Sequence, residues 1–286
     1  MSVRLVITDA MWDQIEPLMP ADPVRGRRWA DHRRTQEAIA WKYRTCSPWR
    51  DLPDELGSFQ TAHKRLLEWA LDSTWERILA ALLAAADGAD DIGWAVSVDS
   101  TVCRAPQHAA GARKKGAPDR AEPYDHALGR SHGGLSTKVH LASDARARPL
   151  ALRVTAGQAG DAPAFETIMA AICVARNSPG RPRTRPDAVL ADRAYSSRAI
   201  RSHLRQRGIH AVIPQPSDQI GHRLRRGSAG GRPPAFDTEA YKQHNSVERC
   251  INRLKQWSGL AMWTDKLAIA YRAALHLAAI LIWARR

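Results

Sequence analysis

Cysteine is scarce in this chain: Cys46, Cys103, Cys173 and Cys250 are the only four among 286 residues, and no two of them form a CxxC pair. That spacing argues against a zinc ribbon or a disulfide scaffold, so reduced thiols in a cytoplasmic protein are expected. Long apolar runs are also missing. The last one, AALHLAAILIWA at 273–284, contains His276 and is too short to span a bilayer, which points to a buried terminal helix. The opening stretch MSVRLVITDAMWDQ has neither an h-region nor a small-residue cleavage site, which argues against a secretion signal. Acid is sparse beyond residue 90. Residues 1–90 hold 12 Lys/Arg against 14 Asp/Glu, whereas 91–286 hold 31 against 15. The whole chain carries a formal charge of +14, with a pI near 10.3. A solvated polyanion suits such a chain, and nucleic acid is the commonest; a merely basic soluble or ribosome-associated protein is the competing view.

The composition that remains is globular, at 44% hydrophobic and 25% charged residues. The first part, 1–90, reads as a small all-helical module with a helix-turn-helix flavour. Thr8 or Asp9 opens a helix with Met11, Ile15 and Leu18 at helical spacing, and Ser58 and Ser73 stand as caps of two later helices. The second part, 91–286, changes period. GWAVSVDST (93–101) alternates as a strand, and LSTKVHLASDARARPLALRVTAG reads as a hairpin turning at Asp144–Arg148. APAFETIMAAICVAR is a helix, DAVLADRAY a strand ending at Asp192, SSRAIRSHLRQRG a helix stopped by Gly208, and IHAVIPQ another strand. Basic loops are expected at about 104–134 and 216–237, then a long helix from about Thr238 to Trp257. The order implies an α/β fold, a mixed sheet flanked by helices, with the helical module in front.

Three acids stand out. On one long helix, Glu248 has Tyr241, His244, Asn252 and Lys255 within about 40° at 100° per residue. Val247, Cys250, Ile251 and Leu254 make an apolar stripe on one flank, and Lys242, Arg249 and Arg253 a basic one on the other. Glu248 is thus expected beside the core rather than in full solvent; its alternative role is an ion pair with Arg249 or a contact to Asn252 within the helix. Asp99 and Asp192 lie at or near the ends of the two strands expected near the sheet centre. Acids at strand ends are often turn residues, but in an α/β sheet that is also where ligands bind. Three carboxylates suit Mg²⁺, which takes carboxylate, water and phosphate oxygens, and two such ions support in-line phosphoryl displacement. Neighbouring arginines would neutralise a nucleic-acid backbone. Trp257 and Trp263 are candidates for stacking on an extruded base.

Several stretches resemble a known family. SVDSTVCRAPQHAAG, LGRSHGGLSTKVHLASDARARPLALRVTAGQAGD, RPDAVLADRAYSSRAIR and YKQHNSVERCINRLKQWSGLA are similar to bacterial insertion-sequence transposases of the DDE type, the IS-five group. CSPWRDLP and LPDELGSFQTAHKRLLEWALDSTWERIL resemble that group's N-terminal module, so the likeness covers essentially the whole chain. It implies an RNase H-like catalytic domain with Asp99, Asp192 and Glu248 as the catalytic, metal-binding triad. It also implies a Tyr–Arg–Glu–Lys helix signature that maps onto Tyr241, His244, Glu248 and Lys255. His244 departs from the usual arginine, and an imidazole of reference pKa about 6.5 holds phosphate less firmly than a guanidinium. LAMWTDK departs from a more basic, tyrosine-bearing stretch.

The resulting expectation is a cytoplasmic, nucleoid-associated transposase. It would use Mg²⁺, two ions, with Mn²⁺ as a substitute. Its partners would be double-stranded DNA, both element ends and target, and further copies of itself, as a homodimer or higher, in the DNA complex. Tyr241, His244, Lys255, Arg249 and Arg253 are its DNA-binding residues, and the N-terminal module would recognise the ends through the patch Arg25–Arg34. The rivals are an inactive or domesticated DNA-binding derivative and an RNase H-like nuclease that cuts without joining.

Overall fold

The computed structural model describes residues 4–22, 24–25, 28–107, 122–177 and 179–285. Its first part is helical. α1 (Asp9–Ile15) starts behind Thr8, whose hydroxyl accepts from the Met11 amide, and α2 (His32–Thr45) behind Asp31, whose carboxylate accepts from that of Arg34. Within α2, the buried Glu37 accepts from the amides of Val6 and Ile7, which ties the incoming strand-like stretch to the helix. α3 (Phe59–Leu71) and α4 (Thr74–Gly88) follow. The two serines expected as caps do not serve. Ser58 makes no cap bond, and Ser73 turns the chain at a φ of 61° while Asp72 Oδ1 accepts from the Thr74 amide at 2.9 Å. The carboxylate one residue earlier thus satisfies the first N–H of the helix.

The sheet has β1 (Ala95–Arg104), β2 (Gly129–Ser131), β3 (Gly134–Ser143), β4 (Pro149–Ala156), β5 (Ala188–Ala191) and β6 (His210–Val212). β3, β1, β5 and β6 lie side by side in that order, and β2 and β4 share the outer edge of β3. The pairs β1–β3 and β3–β4 are antiparallel, whereas β1–β5 and β5–β6 are parallel. This is the mixed sheet that the order of strands and helices implied. β1 outruns the alternating stretch at 93–101 because β3 pairs with it as far as Arg104↔Ser136. The hairpin turn at 144–148 forms as expected: Asp144 Oδ1 accepts from the amides of Arg146 and Arg148, and its other oxygen holds the Arg148 guanidinium.

Helices cover both faces. α5 (Asp161–Ala171) and α6 (Arg198–Gln206), capped by Ser197, lie on one. On the other, α9 (Asn245–Lys255) crosses β1 and β3 and leads through α10 (Ser258–Ala261) to α11 (Ala268–Ala284). The expected basic loop at 216–237 is in part helical: α7 (Ser217–Arg225) occupies it, docked by Gln219, whose amide donates to Ser196 O at 2.7 Å. Of the loop at 104–134, residues 108–121 lie outside the described residues, and the remainder includes β2.

The helix expected over 238–257 is interrupted. α8 (Thr238–Tyr241) passes into a 3₁₀ turn at Lys242–His244 before α9 begins. Side chains three residues apart eclipse in a 3₁₀ turn, and the Tyr241 and His244 rings stack accordingly, 5.3 Å apart and 15° from parallel.

α11 joins the two parts. Buried almost throughout, it packs against α1 to α4 and also against β4 and α9, so one hydrophobic core runs from Ile7 to Ala284. Its first turn is capped from outside: both oxygens of the buried Glu122 accept amides, Ala268 N at 2.7 Å and Ile269 N at 2.9 Å. Among the described residues no helix is long and apolar enough to cross a membrane.

Candidate functional site

The centre of the site follows from strand register. β1 and β5 pair in parallel through Val98↔Ala191, β5 then ends, and the next residue on each chain is an acid, Asp99 and Asp192. Register partners in a parallel pair point to the same face from strands about 4.8 Å apart. Asp192 keeps an extended backbone and its carboxylate accepts from the Ala194 amide. Asp99 lies within β1 rather than at its end, beside the place where its parallel neighbour stops. Burial raises the Asp99 pKa; the bond from the Ser100 amide works the other way, and the charge of Asp192 raises it further. A half-buried carboxylate facing a second one is electrostatically costly unless a cation lies between them.

The helix bearing Glu248 is anchored to the same strand. Ser246 Oγ donates to Ser97 Oγ at 2.9 Å, two residues before Asp99, and Lys255 Nζ donates to Val102 O at 3.3 Å. Glu248 itself does not lie beside the core as the helical phase implied; it is exposed. The buried set on α9 is Ser246, Val247, Cys250 and Leu254, with Ile251 only half-buried. Ser246 in place of Ile251 swings the buried stripe to roughly 145° from Glu248. Among the described residues no three His, Cys, Asp or Glu side chains are close enough to hold a metal ion. Strand register thus sets Asp99 beside Asp192, while Glu248 is exposed on α9, the helix that packs across β1. Tyr241 links them. After burial, the charges of Asp192, Glu248 and Asp99 all push its phenol up. The pair suits Mg²⁺, which binds through one or two carboxylates while keeping waters for exchange with phosphate oxygens.

His244 is buried beside this cleft, its charge lowers the Asp99 pKa, and its Nε2 meets no partner among the described protein atoms. Arg249 is exposed. Arg253 instead reaches the hairpin turn, donating to Ala147 O at 3.2 Å. Trp263 is fully buried, 4.7 Å from the Tyr271 ring, so it cannot stack on a base, whereas Trp257 is partly exposed. In the N-terminal patch, Arg33 pairs with Asp9 and Arg34 donates to Glu55 O and Asp54 O, which leaves Arg25 and Arg28 as its exposed, described cations.

On the opposite face of β1 sits a polar cluster that motif reading passed over. Asp161, the first residue of α5, accepts from Ser100 Oγ at 2.5 Å and Lys138 Nζ at 3.1 Å, and His140 Nε2 bonds with Thr155 Oγ1 at 2.8 Å. The signal was present: Ser136, Lys138 and His140 alternate along one predicted strand, an unusual polar face toward a helix.

Two family models match the chain. The family described as "Transposase DDE domain" matches residues 92–283, and "Putative transposase of IS4/5 family" matches residues 7–79. An uncharacterized protein of Sinorhizobium fredii, y4sN, is 34% identical over 38% of this chain and 83% of its own length. A putative transposase for insertion sequence element IS6501 of Brucella ovis is 27% identical over 53% of this chain and 100% of its own. Among solved structures, the Mos1 transposase paired-end complex with left transposon end overlaps 83% of this chain and 82% of its own, at 14% identity and a TM-score of 0.26. With adjacent acids on a mixed sheet and a domain match over residues 92–283, the chain belongs to the DDE transposase family.

Proposed function

We propose that the protein is the transposase of an insertion sequence. It binds the element's terminal inverted repeats as double-stranded DNA, hydrolyses the DNA to free 3′-hydroxyls and joins them to target DNA by transesterification. Family membership implies dependence on a divalent metal, and the hard oxygen donors favour Mg²⁺, two ions, with Mn²⁺ as a substitute. Such ions, when bound, activate the attacking oxygen and stabilise the leaving one. Hydrolysis and joining are both in-line displacements at phosphorus that differ only in the attacking oxygen, so one site serves both. Asp99 and Asp192 hold the metal, and Glu248 completes the set from the cleft rim. Tyr241 and His244 contact the phosphate nearest the acids, while Lys255, Arg249 and the remaining donors of Arg253 neutralise the flanking backbone.

Residues 1–90 recognise the ends, and residues 91–286 form the catalytic domain and supply most of the nonspecific affinity through their net charge of +16. The working assembly is a dimer or larger in the DNA complex, in the cytoplasm with the nucleoid. The observation that carries the proposal is the register that sets Asp99 beside Asp192. The test is cleavage of a labelled end oligonucleotide in Mg²⁺ or Mn²⁺, with strand transfer into a supercoiled plasmid. Asp99→Asn, Asp192→Asn and Glu248→Gln should each abolish nicking yet retain DNA binding; nicking that survives Asp99→Asn refutes the assignment. The exposure of Glu248 favours one second reading, a DNA-binding derivative without cleavage activity, which would shift end DNA and never nick it.

A further inference from the structure

We propose that Asp161 is a positioning residue for Asp99: from the α5 face it pins Ser100, the next residue on β1, and so fixes the Asp99 carboxylate against Asp192 for a divalent cation. This rests on the metal-binding role proposed above for the two acids.

Alternation along β1 puts Asp99 on the α9 face and Ser100 on the α5 face. At this level β1 loses its support on one side, because β5 ends at Ala191 while β3 continues to pair through Asp99↔Leu141 and Ser100↔His140. Asp99 and Asp192 follow the last ladder pair, Val98↔Ala191, and so stand side by side where the ladder between their strands stops. Asp161 supplies a brace from the far face. Its Oδ1 accepts from Ser100 Oγ at 2.5 Å, a short bond of the kind a charged acceptor makes. The Asp99 carboxylate in turn accepts from the Ser100 amide at 2.7 Å, so Ser100 is held by one acid and holds the other.

Asp161 is itself fixed. Lys138 Nζ donates to it at 3.1 Å and to Ala159 O at 2.7 Å, which draws the β4–α5 connection onto the sheet. His140, buried on the same face, has Nδ1 4.0 Å from the same oxygen. Burial works to raise the Asp161 pKa, but the bonds from Ser100 and Lys138 hold it below the ordinary carboxylate value, so the acceptor is charged. The buried Tyr195 phenol is pushed up by burial and, after that, by the charges of Asp161, Asp99 and Asp192. Partners that orient a metal ligand typically change metal affinity 10–100-fold when removed.

The test is Mn²⁺ binding by the full chain without DNA, followed by electron paramagnetic resonance. Asp161→Ala and Ser100→Ala should weaken Mn²⁺ at least about 10-fold, while Ser100→Thr, which keeps the hydroxyl, stays near wild type. DNA affinity measured in EDTA should be unchanged in all three. A merely structural role would lower the melting temperature and leave the affinity of the folded protein intact. Wild-type Mn²⁺ affinity in Asp161→Ala, or equal loss in Ser100→Thr and Ser100→Ala, overturns the inference. Should Asp161→Ala not fold, the Ser100 pair decides. Asp99→Asn separates the two levels: if it too binds Mn²⁺ normally, the metal assignment has failed, whereas if it loses Mn²⁺ and Asp161→Ala does not, only the brace has.

Discussion

Replacing Asp99 with asparagine should stabilise the metal-free protein, although it destroys the site. Asp99 and Asp192 follow a register pair on strands about 4.8 Å apart, so their charges sit on the order of 6 Å from each other. At an effective dielectric of about 20, two unit charges at that distance repel by nearly 3 kcal/mol. The Ser100 amide and His244 offset part of this, and Asp192 is partly exposed, so ~1–2 kcal/mol is the expected net relief. In a chain of this size that corresponds to a rise of roughly 2–6 °C in melting temperature. The pH dependence has a definite sign. Because the folded protein raises the Asp99 pKa, it binds that proton more tightly than the unfolded chain does. Wild type therefore loses stability as pH rises from the ordinary carboxylate value through the raised one, and the loss persists above it. Asp99→Asn removes this contribution, so its advantage should appear at neutral pH and shrink at low pH. Added Mg²⁺ should raise the wild-type melting temperature and leave that of the variant nearly unchanged. Calorimetry in EDTA and in Mg²⁺ measures both. A variant less stable than wild type at neutral pH in EDTA, or equally stabilised by Mg²⁺, refutes the picture of two repelling carboxylates.

Other outcomes follow from the packing. Gly259→Ala should cost about 1–3 kcal/mol by urea denaturation, because a Cβ there meets Tyr43 O at 2.8 Å and Tyr43 Cα at 2.9 Å, backbone that cannot swing aside. Glu122→Ala should cost about 3 kcal/mol, since it leaves the amides of Ala268 and Ile269 without acceptors and removes the partner of the buried His126. His276 is buried, and although Glu76 Oε1 lies 3.7 Å from its Nδ1, burial, then Arg272 and Arg153, push its pKa down to about 3. The unfolded chain thus binds the extra proton, and stability should fall as pH drops below about 6.5, approaching 1.4 kcal/mol per pH unit. His276→Leu should flatten that slope by close to one proton; an unchanged slope contradicts a neutral buried imidazole.

Much of this protein could be read from local pattern because the causes are local. Alternation gave the β3–β4 hairpin, Asp144 its turn, and Gly208, with a φ of 65°, the stop behind α6. The burial of α11 followed from its largely apolar composition. What failed were readings in which a residue's surroundings come from elsewhere in the chain. Ser58 and Ser73 had the right identity for caps, but the Ser58 hydroxyl donates to Gln60 Oε1 and Ser73 takes a left-handed backbone. The helix through Glu248 had a continuous pattern, yet the 3₁₀ turn and the bond from Ser246 to Ser97 set its rotation, and that turned Glu248 outward.

Chain chemistry alone thus set out the order of most strands and helices, the excess of positive charge beyond residue 90 and the three acids worth watching. Folding decided which acids became neighbours, that Asp161 and Lys138 stand behind Asp99, and that the helical part shares α11 with the sheet. Periodicity is a property of adjacent residues and survives without tertiary contacts. The distance between Asp99 and Asp192 is set by strand pairing across 93 residues of chain, and no local pattern encodes it.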